Sequence, residues 1–159
     1  MSIPPAGSDI TELTTFDILP FPNFVTIIPG IPPDQFKEIL ENAVSQVEFV
    51  SGRFAQISGF SFRWDINGTP QELDMNGNVV VPGTRVVEAE LDGGIKMIEN
   101  GIVVPGAPDL NIASIDFLAR GGDQYPYRNA PFTTLGVSYQ QALFNYIVNE
   151  LGGVITVAM

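Results

Sequence analysis

Helical patterns near both ends of the chain enclose a long middle region with the pattern of short strands. Apolar residues spaced by three and four positions follow Pro32-Pro33-Asp34 and run from Phe36 to Val47. A second helical pattern runs from about Ser138 to Leu151, after which two glycines offer a left-handed stop. Helices at the ends with strands between them predict an α+β fold, with mixed strands and a few packed helices.

Two finer features accompany these helices. A weaker helical pattern spans Ile10 to Ile18, with Ser8 or Asp9 as its expected N-cap and Pro20 after its end. In the helix after Pro33, Glu41 and Asn42 are expected on the polar face, opposite the apolar residues.

The middle region contains runs rich in β-branched and aromatic residues, which favour strands. Asn100-Gly101 lies between two of these runs and is typical of a tight hairpin turn. One predicted strand, 24–28, precedes the helix that follows Pro33, and the others are 54–58, 60–64, 85–91, 94–98, 102–104 and 110–118.

Composition excludes several kinds of chemistry. The chain has no histidine and no cysteine, which removes Ser-His-Asp and Cys-His nucleophile systems and zinc sites built on those residues. Its 159 residues, 45% of them hydrophobic, suit one domain with a real core. The formal net charge of −11 opposes binding to nucleic acid polymers and anionic membranes. The sequence has no run of about 20 apolar residues, so it predicts no membrane-spanning helix.

Two acidic turns faintly resemble calcium loops. They are Asp65-Ile66-Asn67-Gly68 and Asp74-Met75-Asn76-Gly77-Asn78. Neither has the alternating oxygen ligands and closing glutamate of an EF-hand. Because Asp, Asn and Gly are also the residues of tight turns, we interpret both segments as turns.

The most unusual stretch runs from Asp116 to Pro126. A strand-like run there ends in Gly121-Gly122, followed by Asp123 and then aromatic residues. Two glycines allow a sharp turn or a close approach of the backbone to a ligand. The same residues are also compatible with a plain strand, a turn and an aromatic residue that packs in the core.

This stretch resembles a signature of 5′-nucleotidases and UDP-sugar hydrolases, Asn-Asp-Phe-Leu-Ala-x-Gly-Gly-Asp-Gly-Tyr. Here Ile115 stands where asparagine is common and Gln124 where glycine is common. Residues 52–59, Gly-Arg-Phe-Ala-Gln-Ile-Ser-Gly, are similar to the family's Gly-x-Phe-x-Gln-Val-Ser-Gly string. Residues 2–11, followed by Leu19-Pro20-Phe21, resemble the stretch after its Asn-Gly-Gly-x-Arg motif. The three segments occur in family order.

The resemblance implies that residues 1–159 form one C-terminal, substrate-binding domain of a two-domain parent. In that family, two phenylalanines sandwich the base and correspond to Phe21 and Phe117. The aspartate of Gly-Gly-Asp, here Asp123 after Gly121 and Gly122, binds the sugar hydroxyls. The expected ligand is therefore a nucleotide or nucleoside.

The resemblance also implies an N-terminal metallophosphoesterase domain that carries two divalent metal ions and is absent from this chain. We therefore expect no catalytic and no metal-binding residue here, and an inactive isolated domain. The parent is expected to be a periplasmic or extracellular hydrolase of nucleotide catabolism. Since Met1 to Pro5 lack the features of a signal peptide, we interpret the start as an internal boundary.

Two departures affect these expectations. The family's phosphate-binding Asn and Arg belong to a motif that precedes Ser2. Phe21 is followed by Pro22-Asn23 rather than by glycines. Two other hypotheses stay open: a non-catalytic extracellular module that keeps the fold but binds another ligand, and a self-contained hydrolase that uses two carboxylates across a cleft.

Overall fold

The structure is a computed structural model that describes residues 5–156, so Ser2–Pro4 of the first family-like segment lie outside the described residues. Four α-helices and nine strands occur within that range. The helices are α1 Glu12–Ile18, α2 Pro33–Ala43, α3 Asp116–Ala119 and α4 Tyr139–Asn145. The strands are β1 Phe24–Ile31, β2 Phe60–Trp64, β3 Glu72–Leu73, β4 Val79–Val81, β5 Val86–Leu91, β6 Lys96–Glu99, β7 Ile102–Val103, β8 Leu110–Ile115 and β9 Thr133–Ser138. This content confirms the α+β prediction.

The N-cap of α1 differs from the expected one. Thr11 caps the helix by accepting a hydrogen bond from the backbone N–H of Thr14 at 3.2 Å. The Thr14 hydroxyl accepts the backbone N–H of Thr11 at 3.1 Å in return. Because this reciprocal capping box satisfies both donors, the helix begins after Thr11, and the expectation of Ser8 or Asp9 was wrong.

Helix α2 confirms the predicted start at the two prolines, with Pro33 in its first turn. It ends at Ala43, and turns replace the last predicted residues up to Val47. The placement of Glu41 and Asn42 on a solvent-facing side was wrong, since each is 1% exposed. Both side chains form hydrogen bonds with other parts of the chain, which makes their burial tolerable.

The C-terminal helix also follows the prediction. Helix α4 begins after Ser138, whose hydroxyl accepts the N–H of Gln141 at 3.0 Å. A π-helical segment, Tyr146–Glu150, continues it. Gly152 and Gly153 then adopt φ values of 63° and 80°, as expected of a left-handed stop.

The strands form three antiparallel sheets. Strand order is β8-β1-β9 in a three-stranded sheet, β2-β5-β6-β7 in a four-stranded sheet and β3-β4 in a small hairpin. One buried cluster joins residues of β1, α2, β5 and β6. The core therefore joins α2 with strands of both larger sheets, and the rings of Phe36 and Phe60 meet edge to face at 5.3 Å there.

Several strand predictions need correction. Residues 54–58 form a loop instead of a strand, because Phe54 packs edge to face on Trp64 and the chain turns at Gly59. The run 110–118 is a strand only to Ile115, after which α3 begins. Strand β9 and the β3-β4 hairpin were missed, since β9 is mostly exposed and lacks an alternating pattern.

The predicted turns are confirmed. Asp65 and Asp74 each accept the backbone N–H two residues on, at 2.9 Å and 2.8 Å. Asn100 and Gly101 have φ values of 52° and 77°, as a tight hairpin between β6 and β7 requires.

Candidate functional site

Two segments far apart in the sequence meet at one end of the three-stranded sheet. Val25 of β1 pairs with Ile115, the last residue of β8. Phe21 precedes β1 by three residues, and Phe117 follows β8 inside α3. The backbone N–H of Phe24 donates to the Asp116 carboxylate at 2.8 Å and fastens the two segments together.

The two phenylalanines expected to contact a base are both exposed. Phe21 is 66% exposed and Phe117 is 45% exposed. The backbone N–H of Phe21 donates to the Tyr139 hydroxyl at 3.0 Å, so α4 supports that segment. Neither ring belongs to the buried core, whereas Tyr125 after the turn does, as the plain interpretation of that stretch expected. Large apolar side chains that stay exposed on neighbouring segments are typical of surfaces that bind a ligand or a partner.

Gly122 lies directly against the Phe117 ring. A Cβ atom on Gly122 would come within 2.5–2.6 Å of three ring atoms of Phe117. Real carbon atoms do not approach so closely, so a side chain here would displace the ring. Because Gly122 has no side chain, the Phe117 ring can occupy its observed position.

Asp123 sits in a tight, left-handed turn. Gly121 has φ 90°, and Asp123 and Gln124 have φ values of 50° and 57°. Non-glycine residues rarely adopt such values, and each costs about 1–2 kcal/mol. The Asp123 side chain is exposed, and its Oδ2 lies 4.0 Å from where a Cβ on Gly52 would stand. The structure thus brings two of the family-like segments, 52–59 and 116–126, side by side.

Three hydrogen bonds hold this turn. Asn42 Nδ2 donates to the Asp123 carbonyl oxygen at 3.1 Å, and Arg53 Nη2 donates to Gln124 Oε1 at 3.0 Å. The Tyr125 hydroxyl donates to the Arg53 carbonyl oxygen at 2.7 Å. The sequence motif contains Arg53 but gave it no role, and Asn42 was expected to face solvent. Local spacing could not reveal the role of Asn42, because its partner lies 81 residues further along the chain.

Burial keeps the neighbouring tyrosine neutral. Desolvation raises the pKa of Tyr125 well above its usual value, and the nearby Tyr127 and Asp123 add to this effect while Arg53 opposes it. The Tyr125 hydroxyl therefore acts as a hydrogen-bond donor across the ordinary pH range. The exposed carboxylate of Asp123 offers two acceptor oxygens beside it.

The described residues do not offer a metal centre. Within residues 5–156, no group of three or more Asp or Glu side chains converges as metal ligands would. Over the same range, no helix has the length and apolar character needed to cross a bilayer. What the site does offer is stacking on exposed aromatic rings and hydrogen bonding to a carboxylate.

The sequence matches a known family profile and one characterised relative. The family profile described as "5'-nucleotidase, C-terminal domain" matches residues 2–129. The trifunctional nucleotide phosphoesterase protein YfkN of Bacillus subtilis (strain 168) is 27% identical over 119 residues. Those residues are 74% of this chain and 7% of YfkN.

Solved structures show the same fold. The 5′-nucleotidase precursor from Thermus thermophilus matches 94% of this chain, with 25% identity and a TM-score of 0.69. The NAD nucleotidase of Haemophilus influenzae matches 93%, with 14% identity and a TM-score of 0.62. The chain spans 26% of each of these two proteins. By the extent of the profile match, this chain belongs to the family of 5′-nucleotidase C-terminal domains.

Proposed function

We propose that this domain binds the nucleoside part of a nucleotide for a 5′-nucleotidase-type phosphohydrolase. The base stacks between Phe21 and Phe117, and the sugar hydroxyls bind Asp123. The observation that carries the proposal is the pair of exposed rings, 66% and 45% exposed, on segments that meet at one end of a sheet. Stacking contributes roughly 1–3 kcal/mol per base and tolerates different bases.

Asp123 suits the sugar end of such a ligand. A carboxylate accepts hydrogen bonds from both hydroxyls of a vicinal diol, whereas it repels a phosphate. The left-handed turn and its hydrogen bonds to Asn42 and Arg53 hold the loop before a ligand arrives. Such preorganisation reduces the entropy lost on binding.

The parent protein is proposed to be a hydrolase of nucleotide catabolism, located in the periplasm or outside the cell. Its metal-dependent chemistry would belong to an N-terminal metallophosphoesterase domain, as the family resemblance implies. The present domain then contributes binding and orientation, which are large parts of a rate enhancement. The names of the relatives, a nucleotide phosphoesterase and a 5′-nucleotidase, support this assignment.

Calorimetric titration with adenosine tests the proposed site. We expect weak binding, in the high-micromolar to millimolar range that part of a composite site allows. Phe117→Ala should weaken binding roughly five- to 100-fold, because one stacking face is lost. Asp123→Asn keeps the size of the side chain and should weaken adenosine binding more than binding of 2′,3′-dideoxyadenosine.

A matched control separates stacking from general loss of apolar surface. Ile102→Ala removes a side chain that is 70% exposed in the four-stranded sheet and should leave adenosine binding unchanged. If the folded chain does not bind adenosine, or if Phe117→Ala binds as the wild type does, the proposal fails. The non-catalytic module with another ligand then becomes the better hypothesis.

A further inference from the structure

A pocket lies beside the end of α2, and its lining residues do not include Phe21, Phe117 or Asp123, although Arg53 in its wall also bonds to the loop that carries Asp123. Its volume is about 340 Å³, within the range of small-molecule sites. It is formed by the chain that follows α2, by the loop before β2 and by Trp64 of β2. Three aromatic side chains, Phe49, Phe54 and Trp64, form much of its wall.

The apolar wall of this pocket is open to solvent. Phe54 and Trp64 meet edge to face with ring centroids 6.5 Å apart. Phe49 is 73% exposed, Val50 is fully exposed and Phe54 is 42% exposed. Covering such side chains with an apolar group yields about 25 cal/mol per Å² of buried area. The pocket therefore favours a ligand with a ring or a branched apolar group.

Arg53 is among the lining residues, and no carboxylate partner for it occurs within the described residues. Six of the seven basic residues form salt bridges within the described range, and Arg53 is the exception there. Its guanidinium donates to neutral oxygens, Ser45 Oγ at 3.2 Å and Gln124 Oε1 at 3.0 Å. Although the chain has 18 acidic residues, none is among the described lining residues.

We propose that this pocket binds a small aromatic monocarboxylate, with the ring against Phe49, Phe54 and Trp64 and the carboxylate on Arg53. A guanidinium matches a carboxylate in shape and charge. One positive charge balances one negative charge, whereas a phosphate dianion would leave an uncompensated charge in a chain of net charge −11. Charge complementarity and the apolar wall thus select the same class of ligand.

Trp64 makes the test specific, because it is the one tryptophan of the chain. The chain is titrated with 3-phenylpropanoate and, separately, with its neutral amide, while Trp64 emission and its indole N–H signal in NMR are followed. We expect saturable changes with the acid at a dissociation constant of about 0.1–5 mM. The amide should bind about tenfold more weakly, because it has no negative charge to pair with the Arg53 guanidinium.

Two variants examine the charge. Arg53→Gln should weaken binding of the acid about tenfold and binding of the amide much less. Because Arg53 also bonds to Gln124, its loss can disturb the fold, so Val50→Glu serves as an independent variant. Val50 is fully exposed at the pocket, and a new negative charge there should weaken binding of the acid about fivefold. Met75→Glu adds the same charge at another fully exposed apolar residue and is the control.

Several outcomes would overturn the proposal. Equal affinity for acid and amide, equal effects of Val50→Glu and Met75→Glu, or no saturable change at Trp64 would each exclude it. Trp64 emission that depends on protein concentration without ligand would assign the pocket to a second copy of the chain instead. Phe117→Ala should leave 3-phenylpropanoate binding unchanged, which separates this pocket from the proposed nucleoside site.

Discussion

Gly121 and Gly122 are glycine for different structural reasons, although they look equivalent in the sequence. Gly121 has φ 90° and open space where a Cβ would stand, so the backbone conformation requires glycine. Gly122 lies outside the left-handed region, but a Cβ there would meet the Phe117 ring at 2.5 Å. The pair was predicted to allow a sharp turn or a close approach of the backbone to a ligand. In the structure, Gly121 makes the turn and Gly122 makes a close approach, to the Phe117 ring.

Alanine substitutions at the two glycines should therefore differ in their effects. Gly121→Ala should destabilise the domain by about 1–2 kcal/mol through backbone strain. Gly122→Ala should cost about 1–3 kcal/mol and should also displace the Phe117 ring. Urea unfolding measures the free energies, and the ring signals of Phe117 in NMR report its position. Unchanged ring signals in Gly122→Ala would contradict the close contact.

At the scale of elements, buried charges join α2 to β5. Glu41, 1% exposed, accepts the backbone N–H of Arg85 at 3.0 Å and that of Val86 at 3.1 Å. Gly83 leaves room for this carboxylate, since a Cβ there would lie 2.5 Å from it. The Arg85 side chain, 3% exposed, reaches back to the Val44 carbonyl oxygen and to Glu48 after the helix. A helix and a strand from distant parts of the chain are thereby fixed in one relative position.

Removing the Glu41 carboxylate should weaken the attachment of α2 to β5. Glu41→Ala leaves two buried N–H donors without a partner and should cost about 3–5 kcal/mol in urea unfolding. Glu41→Gln keeps one acceptor oxygen and should cost about 1–3 kcal/mol. Glu72→Gln, at an exposed site in β3, is the control and should stay within about 0.5 kcal/mol of the wild type. A Glu41→Ala variant as stable as this control would show that the Glu41 hydrogen bonds do not stabilise the domain.

The ion pair between Glu48 and Arg85 should make the stability of the domain depend on pH. The hydrogen bond from Arg85 lowers the pKa of Glu48 below its ordinary value of 4.5. A carboxyl group with a depressed folded-state pKa contributes stability above its unfolded pKa and loses it as pH falls through the folded value. The stability difference between wild type and Glu48→Gln should therefore be constant from pH 7 to about pH 5 and shrink below pH 4.5. A difference that grows on acidification would contradict this assignment.

At the scale of the whole molecule, charge repulsion opposes the compact state. The formal net charge is −11, and the seven basic residues are too few to balance 18 acidic ones. At 0.1 M salt, repulsion between exposed charges more than about 10 Å apart is largely screened. Surface salt bridges are weakened as well, but isolated exposed pairs contribute at most about 1 kcal/mol each.

Added salt should therefore stabilise the domain at neutral pH. Between about 20 mM and 300 mM NaCl, we expect the melting temperature to rise by about 2–5 °C, because repulsion is screened. Differential scanning calorimetry measures the change, and KCl serves as a control for specific ion binding. A melting temperature that falls with both salts would mean that attractive ion pairs outweigh the net charge.

Much of the local structure was predictable from the sequence. The spacing of apolar residues predicted α2 and α4, and Asn100-Gly101 predicted the β6–β7 hairpin, because short-range sterics and periodicity decide these features. The resemblance of three segments predicted the family, which the profile match confirmed. Composition removed histidine and cysteine chemistry from consideration.

Tertiary structure decided which residues meet. Glu41 and Asn42 look like a solvated helix face, yet each is buried because its partners come from Arg85, Val86 and Asp123, far along the chain. The juncture of the Phe21 and Phe117 segments depends on the pairing of β1 with β8, 92 residues apart at the Phe24–Asp116 hydrogen bond. Local patterns encode periodicity and turns, whereas long-range contacts are chosen by the burial of the whole chain, so a single sequence does not state them.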